Sequence, residues 1–288
     1  MSSQSSLPTA AEEGFKDASA YDTHRPSYPP EAVDAFLANL KLAAQSDFVN
    51  VVEIAAGTGK FTELLAARPE RFAVKAIEPH AGMREKLSDK DLQGVEVIDG
   101  KADKMPVGDE WGDACIAAQA FHWFATPESL KEIHRVLRPG AIFGGIWNIE
   151  DYNKPPAWEA TTKWEKKLND FILSLDDGLP RFRHMKWKEV FEQQPNPFQV
   201  IKDAFTDHLP RFSLPLGEDS VKWTVWLTED ALWARFNTLS QIAVLKGDER
   251  GAAEKLFRDA MHGDDVERND KGEIALHGVT YFVWTDRI

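Results

Sequence analysis

From position 51 onward, short β-branched or apolar runs alternate with longer stretches of helical periodicity, the rhythm of a parallel sheet joined by crossover helices. Runs at 51–54, 73–77, 95–98, 114–118 and 141–147 predict strands, and 60–67, 80–90 and 127–137 predict helices between them. The last helix meets Arg138-Pro139-Gly140, where a proline without an N–H and a permissive glycine predict a stop before the next strand. Upstream, Pro29-Pro30 opens a helix over 31–42 whose Ala32, Phe36, Leu37 and Leu40 share one face and would cover the sheet.

After Asn148 this rhythm breaks. Amphipathic patterns rich in Trp and Lys at 158–175 and 185–193 predict cap helices, and 220–262 predicts another helical block. Partial alternation at 199–212 and 274–284 predicts edge or antiparallel strands. The expected organisation is a mobile tail over 1–13, a core over 14–150, cap helices over 151–196, and a segment over 197–288 that completes the sheet around a second helical cap insertion.

The strand ending in Val52-Glu53-Ile54 runs straight into Ala55-Ala56-Gly57-Thr58-Gly59 and then into a helix. Small residues there let backbone approach a ligand closely, and the helix start offers N–H donors. Glu78 ends the second predicted strand about twenty residues later, where nucleotide-binding α/β folds place an acid on the ribose hydroxyls. No third glycine follows in Lys60-Phe61-Thr62, which disfavours a nicotinamide-dependent oxidoreductase.

Composition narrows the partners. Among 288 residues, 47 acids against 34 basic residues give a formal charge of −13, a surface that repels nucleic acid and anionic lipid. The single cysteine, Cys115, lies in an apolar run and reads as a core thiol, so a reducing, cytoplasmic setting is expected. Neither a signal peptide nor an apolar stretch of the ~20 residues needed to cross a bilayer is read. Partners are therefore expected to be a small-molecule substrate, with no nucleic acid, membrane or metal, and the chain to be a monomer or homodimer.

Four stretches carry a resemblance: Tyr21-Asp22-Thr23-His24-Arg25-Pro26-Ser27-Tyr28-Pro29, Glu53-Ile54-Ala55-Ala56-Gly57-Thr58-Gly59, Gln119-Ala120-Phe121-His122-Trp123-Phe124 and Arg135-Val136-Leu137-Arg138-Pro139-Gly140. The chain resembles the class I S-adenosylmethionine-dependent methyltransferases over about residues 14 to 150. The likeness is particularly to the small-molecule, methyltransferase type 11 branch that includes trans-aconitate methyltransferase-like enzymes. It implies an α/β fold: a doubly wound, seven-stranded Rossmann-like methyltransferase sheet with a helical cap and a cofactor-binding core. S-adenosyl-L-methionine is the implied cofactor. Glu53, Ala55, Gly57 and Gly59 would receive its methionine part, Glu78 its ribose, and Ala102 and Asp103 its adenine, with Gln119 near the methionine moiety. Ala55 departs from the family's usual glycine. Met83 would wall the adenine or simply join the core, and Asp103 has the alternative reading of an ordinary acidic loop with Asp109 and Glu110.

Substrate-side candidates follow the fourth and fifth strands. His122 is the candidate catalytic residue, as a base or as a hydrogen-bond donor, unless the His122-Trp123 pair merely packs the next helix. Trp123 and Trp147 are candidate substrate contacts beside Asn148. By resemblance, Tyr21 and Arg25 belong to a lid over the cofactor and Tyr28 faces the substrate, the alternative being helix-entry packing. Trp158, Trp164, Trp187, Trp223, Trp226 and Trp233 are expected in the cap, as pocket or as core. Five cationic side chains within 181–188 read as a solvated helix face or as a trap for an anionic substrate. The implied function is methyl transfer to O, S or N of a small metabolite, with carboxylic acids among the acceptors. The alternative is a fold that binds the cofactor without transferring its methyl group.

Overall fold

The computed structural model describes residues 27–43, 48–175, 178–194 and 210–288. Among these residues, the strands are β1 (Val49–Ile54), β2 (Phe72–Ile77), β3 (Val95–Ile98), β4 (Gly112–Ala118), β5 (Leu137–Glu150), β6 (Gly217–Leu227) and β7 (Ile274–Asp286). They form one mixed seven-stranded sheet in the order β3-β2-β1-β4-β5-β7-β6. The strands β1 to β5 pair in parallel. β7 reverses against β5, with Gly140 N bonded to Arg287 O at one end and Ile149 O against Gly278 near the other. The topology switches direction between β1 and β4, and at such a point a crevice opens beyond the strands' C-terminal ends.

The helices among the described residues are α1 (Pro30–Asn39), α2 (Lys60–Ala66), α3 (Ala81–Ser88), α4 (Pro127–Val136), α5 (Lys163–Ser174), α6 (Glu189–Glu192), α7 (Glu229–Phe236), α8 (Ser240–Ala243) and α9 (Gly247–Ala260). None of the described helices is long and apolar enough to cross a membrane. The doubly wound α/β class is as expected, and β1 is buried along nearly its whole length because a central parallel strand has both faces covered. α1 lies so close to β5 that a Cβ on Gly144 would come within 2.7 Å of Phe36 and Leu40.

Two details differ from expectation. β5 begins at Leu137 and runs through Arg138-Pro139-Gly140. Its register against β4 jumps from Gly112↔Leu137 to Ala114↔Ile142, so the proline and Gly140, at φ +76°, sit in an exposed bulge that needs no ladder N–H. The block 220–262 is not all helix: 217–227 is strand β6, with Val221, Trp223, Val225 and Leu227 half-buried on one face and Lys222, Thr224 and Trp226 exposed on the other. Its period of two is the strand period. Most of 199–212, expected as a strand, lies outside the described residues, as do 1–13 and the rest of the chain before Ser27.

The chain divides into two compact units. The sheet unit comprises 27–147, 185–221 and 280–288, and its core includes Phe36, Leu37, Val51, Phe61, Ile116 and Phe282. The helical unit, among described residues, comprises 148–184 and 222–279, with a core of Tyr152, Trp164, Leu168, Phe236, Phe257 and Leu276. Residues 185–194, expected among the cap helices, therefore belong to the sheet unit. In the helical unit Thr162 caps α5: its hydroxyl accepts from Glu165 N and donates to Glu165 Oε2.

Candidate functional site

Glu53, the last but one residue of β1, is almost fully buried. Thr62, on α2, donates its hydroxyl to Glu53 Oε2 at 2.7 Å, while Oε1 is buried with no hydrogen-bond partner. Burial raises this carboxyl from 4.5 to about 8, with the Thr62 bond opposing and the Glu78 charge adding to the rise. Glu78 follows β2 and is also buried, which excludes a solvated loop acid. Its Oε2 accepts from Gly57 N at 2.8 Å and its Oε1 from His80 N at 2.7 Å, so it clasps the glycine turn to the start of α3. Desolvation raises its pKa against the pull of these two N–H groups.

The turn after β1 is built from left-handed backbone. Ala55, Gly57 and Gly59 have φ of +53°, +61° and +88°. At Gly59 a side chain is excluded by collision with Leu87, whereas a Cβ on Gly57 would meet only Met83 Sδ, at 3.9 Å. Among the described residues the turn is thus open beside Gly57, with Met83 buried alongside. Ala55 adopts the glycine-like conformation at a cost of order 1–2 kcal/mol. Gln119, directly after β4, does the same at φ +57°.

Beyond β3, Ala102 is buried and Asp103 is half-buried with Oδ1 inaccessible and unbonded. Asp109 pairs with Arg135 at 2.6 Å and Glu110 with Arg287 at 3.1 Å, while Asp103 Oδ1 has no hydrogen-bond partner, and all three acids line one open cavity, as the acidic-loop reading expects. Cys115 is fully buried in β4 with its thiol pKa pushed up by desolvation, as a core residue's would be.

On the substrate side, a 3-10 turn at Phe121–Trp123 follows β4, and Trp147 lies in β5. Trp147 Nε1–H donates to His122 Nδ1 at 3.2 Å, and the Trp123 ring lies 5.0 Å from the imidazole. Tyr28 is buried edge-on to Phe61 at 5.2 Å, which is the helix-entry packing alternative. Tyr21 and Arg25 lie outside the described residues. The other named site residues all fall in the sheet unit, clustered at the C-terminal ends of β1, β2, β4 and β5 and in the loop after β3.

The basic run at 181–188 is not a solvated face, because Arg181, Arg183 and Trp187 are buried. The residue that local pattern does not flag is Thr62, which holds Glu53; Trp187, expected in the cap, belongs to the sheet unit and packs on Trp147 with centroids 4.8 Å apart. Thr62, nine residues after Glu53 and one turn into a helix, is visible once that helix is placed.

The glycine turn, Glu78 clasped to it, and the unbonded oxygens of Glu53 and Asp103 all lie at or beyond the C-terminal ends of β1, β2 and β3. Comparisons with known proteins give the family. Residues 52–144 match a family described as "Methyltransferase domain". An uncharacterized methyltransferase of Mycobacterium tuberculosis is 32% identical over 213 residues, spanning 74% of this chain and 70% of the relative. An uncharacterized methyltransferase-like protein of Schizosaccharomyces pombe is 32% identical over 176 residues, and the match spans 61% of this chain but only 63% of that protein. A structure of a protein named as a type II methyltransferase, from Anaeromyxobacter dehalogenans, superposes with a TM-score of 0.55 at 19% identity, over 91% of this chain and 97% of its own; it shows the fold. The chain belongs to the class I S-adenosylmethionine-dependent methyltransferases.

Proposed function

We propose that the protein methylates an oxygen, sulfur or nitrogen of a small metabolite, with carboxylic acids the favoured acceptors. The observation that carries this reading is the set of three carboxylates at the end of β1 and just after β2 and β3. Glu53 Oε1 and Asp103 Oδ1 lack partners, and Glu78 holds the turn between them. S-adenosylmethionine, when bound, supplies a methyl group already activated by the sulfonium. Its α-ammonium suits Glu53, its ribose hydroxyls Glu78, and its exocyclic adenine amine Asp103.

With the methyl activated, the protein's remaining task is to hold an acceptor atom in line at ~3–3.5 Å. His122 serves this as a donor: Nδ1 is occupied by the Trp147 N–H, so the neutral ring carries its proton on Nε2. A donor suits an acceptor that already has a lone pair to offer, such as a carboxylate, which needs no base. The charge of −13 argues for small acceptors over nucleic acid, and the buried thiol suits a reducing compartment such as the cytoplasm.

Incubation with methyl-labelled S-adenosylmethionine and a metabolite extract tests the proposal. Label should appear in a small product, an ester if the acceptor is an acid. Tight binding of S-adenosylhomocysteine without any labelled product would instead favour a module that binds the cofactor and transfers nothing.

A further inference from the structure

We propose that Trp147 is a positioning residue that locks His122 into one tautomer, and that this lock sets which acceptors the site takes. The inference rests on the reading of His122 as the group that meets the acceptor. An indole nitrogen only donates, so the 3.2 Å bond makes His122 Nδ1 an acceptor and leaves the ring proton on Nε2. Trp147 is fully buried, and turning the imidazole or protonating Nδ1 would strand its N–H away from water.

The indole is itself immobilised from several parts of the chain. Its edge folds back over Gly145, where a Cβ would lie 2.6 Å from Cη2, so only glycine leaves this orientation open. The Trp187 ring packs on it at 4.8 Å and 31°, and the Tyr281 ring at 6.3 Å and 34°. Both supports are tied to one carboxylate: Glu218 accepts from Lys188, next to Trp187, at 2.7 Å and also from the Tyr281 hydroxyl. A tryptophan needed only for volume requires none of this orientation, since a phenylalanine fills a core without a donor to satisfy.

The consequence is specificity. A locked Nε2–H favours acceptors that present a hydrogen-bond-accepting oxygen beside the reacting atom, and Nδ1 is withheld from use as a base. Acceptors whose nucleophile must first lose a proton to the enzyme are disfavoured.

Imidazole and indole ¹⁵N spectra of the protein loaded with S-adenosylhomocysteine test the lock without any acceptor. Wild type should show His122 as a single tautomer with Nδ1 unprotonated and a nitrogen–nitrogen coupling to Trp147 Nε1. Trp147→Phe should lose the coupling and populate both tautomers. Gly145→Ala, which displaces the indole but keeps it, should do the same and serves if the phenylalanine variant does not fold. In the labelled-extract assay Trp147→Phe should slow transfer by about tenfold. Combined with His122→Ala it should cost no more than His122→Ala alone. Two tautomers in wild type, or unchanged spectra in both variants, would overturn the lock. Transfer at the wild-type rate in Trp147→Phe would overturn its positioning role alone. An intact lock with no labelled product from wild type would overturn the functional reading and the role of the lock with it.

Discussion

Glu150 and Glu165 in the helical unit are buried as deeply as Glu53 in the sheet unit, but their surroundings differ. Arg235 Nε donates to Glu150 at 3.0 Å, and His277 offers Glu165 both its backbone N–H, at 2.8 Å, and Nδ1, at 3.2 Å. Glu53 and Glu150 each keep one buried oxygen without a hydrogen-bond partner, but the other oxygen of Glu53 meets only the neutral Thr62 hydroxyl. Glu150 beside the Arg235 guanidinium is a structural acid with its counter-charge built into the fold, and Glu165, though desolvation raises its pKa too, is held by the His277 backbone N–H and the Thr162 hydroxyl. A buried acid with no cation hydrogen-bonded to it among the described residues, next to a glycine turn, suits a cation supplied by a ligand.

The sharpest break between the two regions is expected at Arg235. Arg235→Met should strand Glu150 and cost about 3–5 kcal/mol, since removing one partner of a buried pair leaves an uncompensated charge. Thermal unfolding should drop by roughly 2–4 °C for each kcal/mol. The affinity of the folded protein for S-adenosylhomocysteine should be unchanged, as calorimetry below the transition would show.

Glu53→Gln should do the reverse. The amide keeps the Thr62 contact and removes an acid that is uncomfortable when empty, so the ligand-free melting temperature should hold or rise. Affinity for S-adenosylhomocysteine should fall at least tenfold, as expected for losing a charge-assisted bond of ~1.5–3 kcal/mol. Equal losses of stability and affinity in this variant and in Arg235→Met would erase the distinction between the regions.

The same contrast has a pH dependence. Folded, ligand-free protein holds the Glu53 proton up to about 8, whereas an unfolded glutamate releases it near 4.5. The folded state therefore binds more protons between these values, and stability should fall as pH rises from about 5 to 8, by up to ~1.4 kcal/mol per pH unit from this group. Differential scanning calorimetry of wild type against Glu53→Gln isolates it: the variant's profile should be flatter across that window.

The smallest effect concerns backbone. Ala55→Gly removes a left-handed alanine at φ +53°, and should raise the melting temperature by a few degrees at most, about 1 kcal/mol of strain less the added chain entropy of glycine. A clear loss of stability would show that the Ala55 methyl contributes more by packing than it costs by strain.

How much of this was legible in the residues follows from where the information lies. β1, β2 and β4 read directly because largely buried parallel strands are mostly apolar runs, β3 is a short half-buried edge strand marked by Val95, Val97 and Ile98, and Glu53, Gly57, Gly59 and Glu78 stand at fixed short spacings around one turn. Strand β6 did not, because Trp226 on its exposed face blurs the alternation of Val221, Trp223, Val225 and Leu227. The start of β5 was masked by Pro139, which a bulge admits. The support of His122 by Trp147, Trp187 and Tyr281 joins segments far apart in the chain, and no local pattern encodes a contact of that kind.

The central claim, that Glu53 awaits the cofactor's ammonium, is tested most directly by proton release. Titrating S-adenosylhomocysteine into the protein at pH 7, in buffers of different ionisation enthalpy, measures protons exchanged on binding. With its carboxyl raised to about 8, Glu53 is mostly protonated before binding and ionised beside the ammonium afterwards. The account predicts release of nearly one proton by wild type and almost none by Glu53→Gln. No release by wild type, or the same release by both proteins, would contradict it.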